Sequence, residues 1–115
     1  MSPLDTDRAI PVPNREAFAA WLAEHGATER ELIVWIYKAS SGKQTVRFDD
    51  LLETALCYGW IDTQDKGIDA ERYAIRFVPR KPGSNWSAYN RKLVRRLIEE
   101  GRMTPAGTAL LPDDL

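Results

Sequence analysis

Between Arg72 and Glu100 the chain reads RYAIRFVPRKPGSNWSAYNRKLVRRLIEE, and a change of period inside this stretch decides the fold. Tyr73, Ile75 and Phe77 alternate with Arg72, Ala74 and Arg76, the two-residue period of a strand with one face buried and the other partly wet. Pro79 ends the ladder, because it has no N–H to donate to a neighbouring strand, and a basic turn runs from Pro79 to Gly83. Ser84 is expected to open a helix. Beyond it Trp86, Tyr89, Asn90, Leu93, Leu97 and Ile98 recur at helical spacing, with Arg91, Lys92, Arg95 and Glu99 toward water and Gly101 as the stop.

Working upstream, Trp60 to Asp62 reads as a short strand that enters a polar loop, Thr63 to Ala70, and returns through Arg72 to Val78 as a hairpin. Asp62, Asp65 and Asp69 around Gly67 suit turn chemistry. They do not make a calcium loop, since Lys66 and Tyr73 fall where ligands are needed. Glu31 to Lys38 reads as a central strand buried on both faces, because Leu32 to Tyr37 is a short continuous apolar run rich in branched and aromatic residues. Two further helices flank it. Asn14 caps the first, which carries Phe18, Trp21, Leu22 and His25 on one face, with Gly26 expected as a left-handed stop. Phe48, Leu51, Leu52, Ala55 and Leu56 trace the second, ended by Gly59, and Thr104-Pro105 signals a short last helix. Residues 1–13, with Pro11 and Pro13 bracketing Val12, form an extended arm with no element of its own; 14–111 form one domain and 112–115 a tail. The expectation is therefore an α+β fold: a small, mostly antiparallel three-stranded sheet, three main helices packed on one face and a short C-terminal helix.

The chain's 115 residues, 43% of them hydrophobic and 29% charged, are enough for one domain with its own core and no staples. The lone Cys57 cannot pair within the chain, and a start carrying Asp5 and Asp7 without an apolar core is not a secretory signal. The longest apolar run, Leu32 to Tyr37, is too short to span a bilayer, so a cytoplasmic location is expected. The net charge of −1 hides a polarity. Residues 70–102 hold nine Lys/Arg against three Asp/Glu, a net of +6, while the rest carry seven against fourteen, a net of −7.

That polarity places the candidate site. Arg76, Arg80 and Lys81, with the helix start at Ser84 to Ser87, suit a phosphate, sulfate or carboxylate, since free N–H groups at a helix start carry partial positive charge. The alternative is that Arg76 and Arg80 pair with Asp62 or Asp69 and that Ser84 only caps. Trp60, Arg76, Trp86 and Asn90 also suggest a pocket with aromatic walls. Arg91, Lys92, Arg95 and Arg96 form a basic cluster on helix three that could meet nucleic acid, although Glu99 and Glu100 can pair with Arg95 and Arg96. Cys57 lies at the electronegative end of its helix, which disfavours a thiolate, and one Cys with one His makes no usual zinc site.

Four blocks taken together, Ala55 to Asp62 (ALCYGWID), Arg76 to Arg80 (RFVPR), Ser84 to Asn90 (SNWSAYN) and Gly101 to Gly107 (GRMTPAG), resemble the bacteriocin-protection family, also described as YdeI-like or OmpD-associated proteins. The resemblance covers roughly Asn14 to Leu111. It implies a small bacterial cytoplasmic protein linked to tolerance of bacteriocins or cationic antimicrobial peptides, with no assigned catalytic residues. Many members continue well beyond the last block, whereas eight residues follow Gly107 here.

The sequence thus points to a non-catalytic binding module, without a cofactor or metal, for an anionic ligand or an acidic protein partner. Arg76, Arg80, Ser84, Trp86, Ser87 and Asn90 would be the contacts and Trp60 an aromatic wall. An enzyme with Asp62 as base and Arg76 as substrate anchor, and weak nucleic-acid binding through helix three, are the alternatives.

Overall fold

A computed structural model describes residues 3–115; Met1 and Ser2, the start of the expected arm, lie outside the described residues. The elements are β1 (Ile10–Pro11), α1 (Arg15–His25), β2 (Leu32–Tyr37), α2 (Phe48–Cys57), β3 (Trp60–Gly67), β4 (Arg72–Pro79), α3 (Ala88–Glu99) and α4 (Pro105–Thr108). The fold is α+β, but the sheet has four strands in the order β1-β2-β4-β3 and is mixed. The expected three-stranded, mostly antiparallel sheet is corrected by the arm. Ile10 and Pro11 pair in parallel with Val34 and Trp35 on the free edge of β2. A two-residue strand has no period to read, and its place depends on an edge formed later in the chain.

β2 and β4 run antiparallel down the middle of the sheet, with Val34 opposite Ile75 and Ile36 opposite Tyr73. One face of this pair carries Val34, Ile36, Ile75 and Phe77 and is covered by Phe18 and Leu22 of α1 and Leu51 and Ala55 of α2. Asn14 caps α1 by accepting from Ala17 N at 2.8 Å. Gly26 is not the left-handed stop expected of it, since its φ is −61°. Its backbone instead receives the Trp60 indole, whose N–H donates to Gly26 O at 3.3 Å.

The opposite face is not wet at its centre. Ala74 and Arg76 are buried, at 0% and 3% exposure, because Leu4 from the arm packs on Ile33 and Ala74. Arg76 is buried as a charge and is matched accordingly. Its Nε lies 2.9 Å from one oxygen of Glu31, its Nη2 donates to Pro3 O at 3.1 Å and its Nη1 donates to Gln64 Oε1. The other Glu31 oxygen takes Arg8 at 2.7 Å. Glu31 thereby ties the arm to the sheet.

β3 is far longer than expected and includes Asp62 and Asp65, so only 68–71 remain as the turn. There Asp69 accepts from the backbone N–H groups of Glu71 and Arg72 at 2.9 and 2.8 Å. A bulge at Thr63, between the pairs Asp62–Phe77 and Gln64–Arg76, interrupts the ladder.

The three helices do not share one face. Leu93, Val94 and Leu97 of α3 pack on Leu52, Leu56 and Cys57 of α2, with Ile61 of β3 at the margin, in a cluster separate from the one that α1 shares with the sheet. The last helix is clamped to the same place. Thr104 donates through both its N–H and its Oγ1 to Cys57 O, at 3.0 and 2.6 Å, and Gly107 lies so near that a Cβ on it would stand 2.3 Å from that oxygen. No helix among the described residues is long and apolar enough to cross a membrane.

Candidate functional site

After Pro79 the chain leaves the sheet. Arg80 N donates to Gly59 O at 2.8 Å, which pins the departure to the left-handed turn between α2 and β3. Residues 80–87 then cross to the start of α3 without regular structure. Ser87, not Ser84, caps that helix, with extended backbone and a side chain that accepts from Asn90 N at 3.0 Å. Between Ser84 and that start, Asn85 O accepts from Arg80 Nη2 at 2.7 Å and Trp86 packs into the α2–α3 core.

The crossing leaves a cleft of about 460 Å³ between the sheet and the start of α3. Its sheet wall is Ile61, Thr63, Val78 and Pro79, and the facing wall includes Arg80, Lys81, Ser84, Ser87 and Asn90. Four of the expected contacts, Arg80, Ser84, Ser87 and Asn90, therefore meet. Three do not. Trp86 stands behind Arg80, whose Cζ lies 3.8 Å from the ring centroid. Arg76 is held by Glu31, Gln64 and the arm. Trp60, at 1% exposure, belongs to the main core, with Trp21 edge-on to it at 5.6 Å. Ile61, Thr63, Val78, Pro79 and Asn85 are lining residues that sequence reasoning missed. The Ile61–Val78 pair follows from hairpin register, but the Thr63 bulge breaks the counting.

Arg80 is the unusual group in the cleft. It is only 8% exposed, and burial pulls its guanidinium below the usual value, an effect that the nearby Asp62 carboxylate partly offsets. Its Nε and the Ser84 Oγ are both shut away from solvent and find no hydrogen-bond partner among the described residues. Asp62 is raised, chiefly by burial and also by Asp65, while its own backbone N–H and Arg80 hold it down. It does not line the cleft.

The other charged groups are spoken for differently than their sequence neighbours suggest. Arg96 reaches Glu53 of α2 at 2.8 Å, Arg91 reaches Asp114 at 3.1 Å, and Glu100 pairs with Arg102 at 3.3 Å. This divides the basic face of α3. A second cleft, of about 240 Å³, runs beside Cys57 and Tyr58, but Arg102 at its rim already binds Glu53, and burial pushes the Cys57 thiol up. Cys57 is itself buried, in surroundings that disfavour a thiolate. Among the described residues no group of three or more His, Cys, Asp or Glu is placed to hold a metal ion.

No curated protein matches the chain, and no solved structure does. Residues 10–110, which hold every strand and α-helix among the described residues and the whole of the cleft, match the model of a domain of unknown function, DUF8412, and the chain belongs to that family.

Proposed function

We propose that the protein is a non-catalytic binding module whose cleft between the end of β4 and the start of α3 takes an anionic ligand. The observation that carries this reading is Arg80, a guanidinium only 8% exposed on the cleft wall, beside Lys81 and the polar side chains of Ser84, Ser87 and Asn90. A largely buried charge is costly unless paired, and among the described residues no carboxylate lies within ion-pair distance of Arg80, so an anion in the cleft would supply a counter-charge. The resemblance of the four sequence blocks to bacteriocin-protection proteins supports a cellular role in tolerance of bacteriocins or cationic peptides, in which the module would act on a bound anion.

Titration of backbone amide shifts with sulfate and acetate tests the site. The expected result is saturable change confined to residues 78–90. No change there, or change confined to Arg91 to Arg96 and erased by salt, would sink the reading. Challenge of bacteria expressing the chain or its Asn90→Asp variant with a cationic peptide tests the cellular role, for which protection must follow the cleft.

The enzyme reading keeps one supporting observation, the raised carboxyl of Asp62. Its proposed anchor, Arg76, is committed to Glu31 and the arm.

A further inference from the structure

We infer that the ligand is an amphipathic monoanion, a carboxylate carried on a compact apolar body, a refinement that rests on the anion-binding reading of the same cleft. The two walls differ in chemistry. Ile61, Val78 and Pro79 face the cavity from the sheet, while Arg80, Ser84 and Asn90 face it from the crossing segment and α3. A ligand complementary to both is charged at one end and apolar at the other. A free sulfate or phosphate would satisfy Arg80 but leave most of a 460 Å³ space, and the Ile61 and Val78 side chains, to water.

Charge sets the valence. Arg80 and Lys81 line the cleft, and Asp62 acts on Arg80 from nearby. Two cations against one carboxylate leave a single positive charge, which one carboxylate ligand balances and a nucleotide's phosphates would exceed. The lining also offers no aromatic face on which a base could stack, and Trp86, which Arg80 covers, is not part of it. Arg80 itself is preorganised. With Asn85 O on one nitrogen and the Trp86 ring beneath it, the guanidinium loses little freedom when an anion arrives.

The test is an amide-shift titration of the full chain at neutral pH and constant ionic strength with four probes: phenylacetate, acetate, inorganic phosphate and the neutral phenylacetamide. Phenylacetate is expected to shift residues 78–90 saturably and to bind at least about tenfold more tightly than each of the others, the gain expected from burying a ring on an apolar wall. Acetate or phosphate binding as tightly as phenylacetate would overturn the refinement and leave the anion site standing. Phenylacetamide binding as tightly as phenylacetate would overturn the anion reading and the refinement with it, as would silence from all four. Asn90→Asp provides the check on location. An added carboxylate in the first turn of α3 suits the helix dipole, so the fold is kept, while phenylacetate binding should weaken about tenfold through like-charge repulsion. Unchanged phenylacetate affinity in this variant would place the site elsewhere and overturn the proposal.

Discussion

Arg80 and Trp86 form a stacked pair, with the guanidinium carbon 3.8 Å from the ring centroid, and this pair separates the cleft from the α2–α3 core. Truncation of Trp86 to Ala removes the surface on which Arg80 rests as well as buried aromatic area. The expected cost is about 3 kcal/mol of stability, in the range for truncating a packed aromatic that also carries a cation–π contact. Trp86→Phe keeps a ring and should recover most of it. Urea denaturation of the two variants reads the difference, and equal losses would show that the ring face is immaterial.

Glu31 bridges Arg8 and Arg76, but the two pairs are unequal. The Arg76 side chain is 3% exposed and the Arg8 side chain 60%. Glu31→Gln leaves the buried guanidinium without its counter-charge and should cost about 3 kcal/mol. Arg8→Gln removes a solvent-screened pair and should cost under about 1 kcal/mol. Similar denaturation midpoints for the two variants would contradict this ranking.

Gly107 and Gly67 make a matched test of close packing. A Cβ on Gly107 would stand 2.3 Å from Cys57 O, a backbone atom that cannot step aside, whereas a Cβ on Gly67 meets nothing within 4 Å. Gly107→Ala should therefore destabilise by about 2 kcal/mol or more, with chemical-shift changes at the end of α2. Gly67→Ala should stay within about 0.5 kcal/mol of the parent.

Asp62 and Asp69 give opposite pH dependences. Burial raises the Asp62 carboxyl, so the folded chain holds that proton more tightly than the unfolded chain, and stability falls as pH rises from the unfolded value through the raised one. Asp62→Asn should remove this decline and be the more stable protein at neutral pH. Asp69 is lowered, first by the Glu71 backbone N–H and then by the Arg72 side chain. Its contribution is present above the unfolded value and is lost as pH falls through the lowered one. Denaturation midpoints between pH 3 and pH 7 for each Asp→Asn variant show whether the two slopes have these signs.

The elements built on local periodicity were legible in the sequence. The Leu32 to Tyr37 run, the alternation from Arg72 to Val78 and the apolar faces of the first two helices stand where their residues place them, whereas on α3 the expected Tyr89 and Ile98 are exposed and Val94 joins Leu93 and Leu97 inside. What was not legible depended on contacts between distant segments. Alternation alone turns Arg76 toward water, and nothing near it announces that Leu4 and Pro3 will cover that face. The difference between Arg76 and Arg80, four residues apart in one basic stretch, arises in the same way: the first meets an acid from before β2, while the second leaves the sheet at Pro79. Trp60 is as plausible a pocket wall as Trp86 in sequence, and only the packing of α1 over it makes it core. Asn85 carries no such signal, because what it offers Arg80 is a backbone carbonyl, which residue identity does not advertise.

The strap formed by the arm also imposes an order of assembly. Pro3 and Arg76 are separated by 73 positions, and the edge on which Ile10 pairs belongs to a strand that is itself completed by β4. On the ribosome, residues 3–12 are made long before the surface that receives them, so they wait undocked through most of synthesis. Closing so long a loop for a short segment's worth of contacts is expected to leave this edge less protected than the β2–β4 pair, which amide hydrogen exchange at Ile10 and Val34 would show.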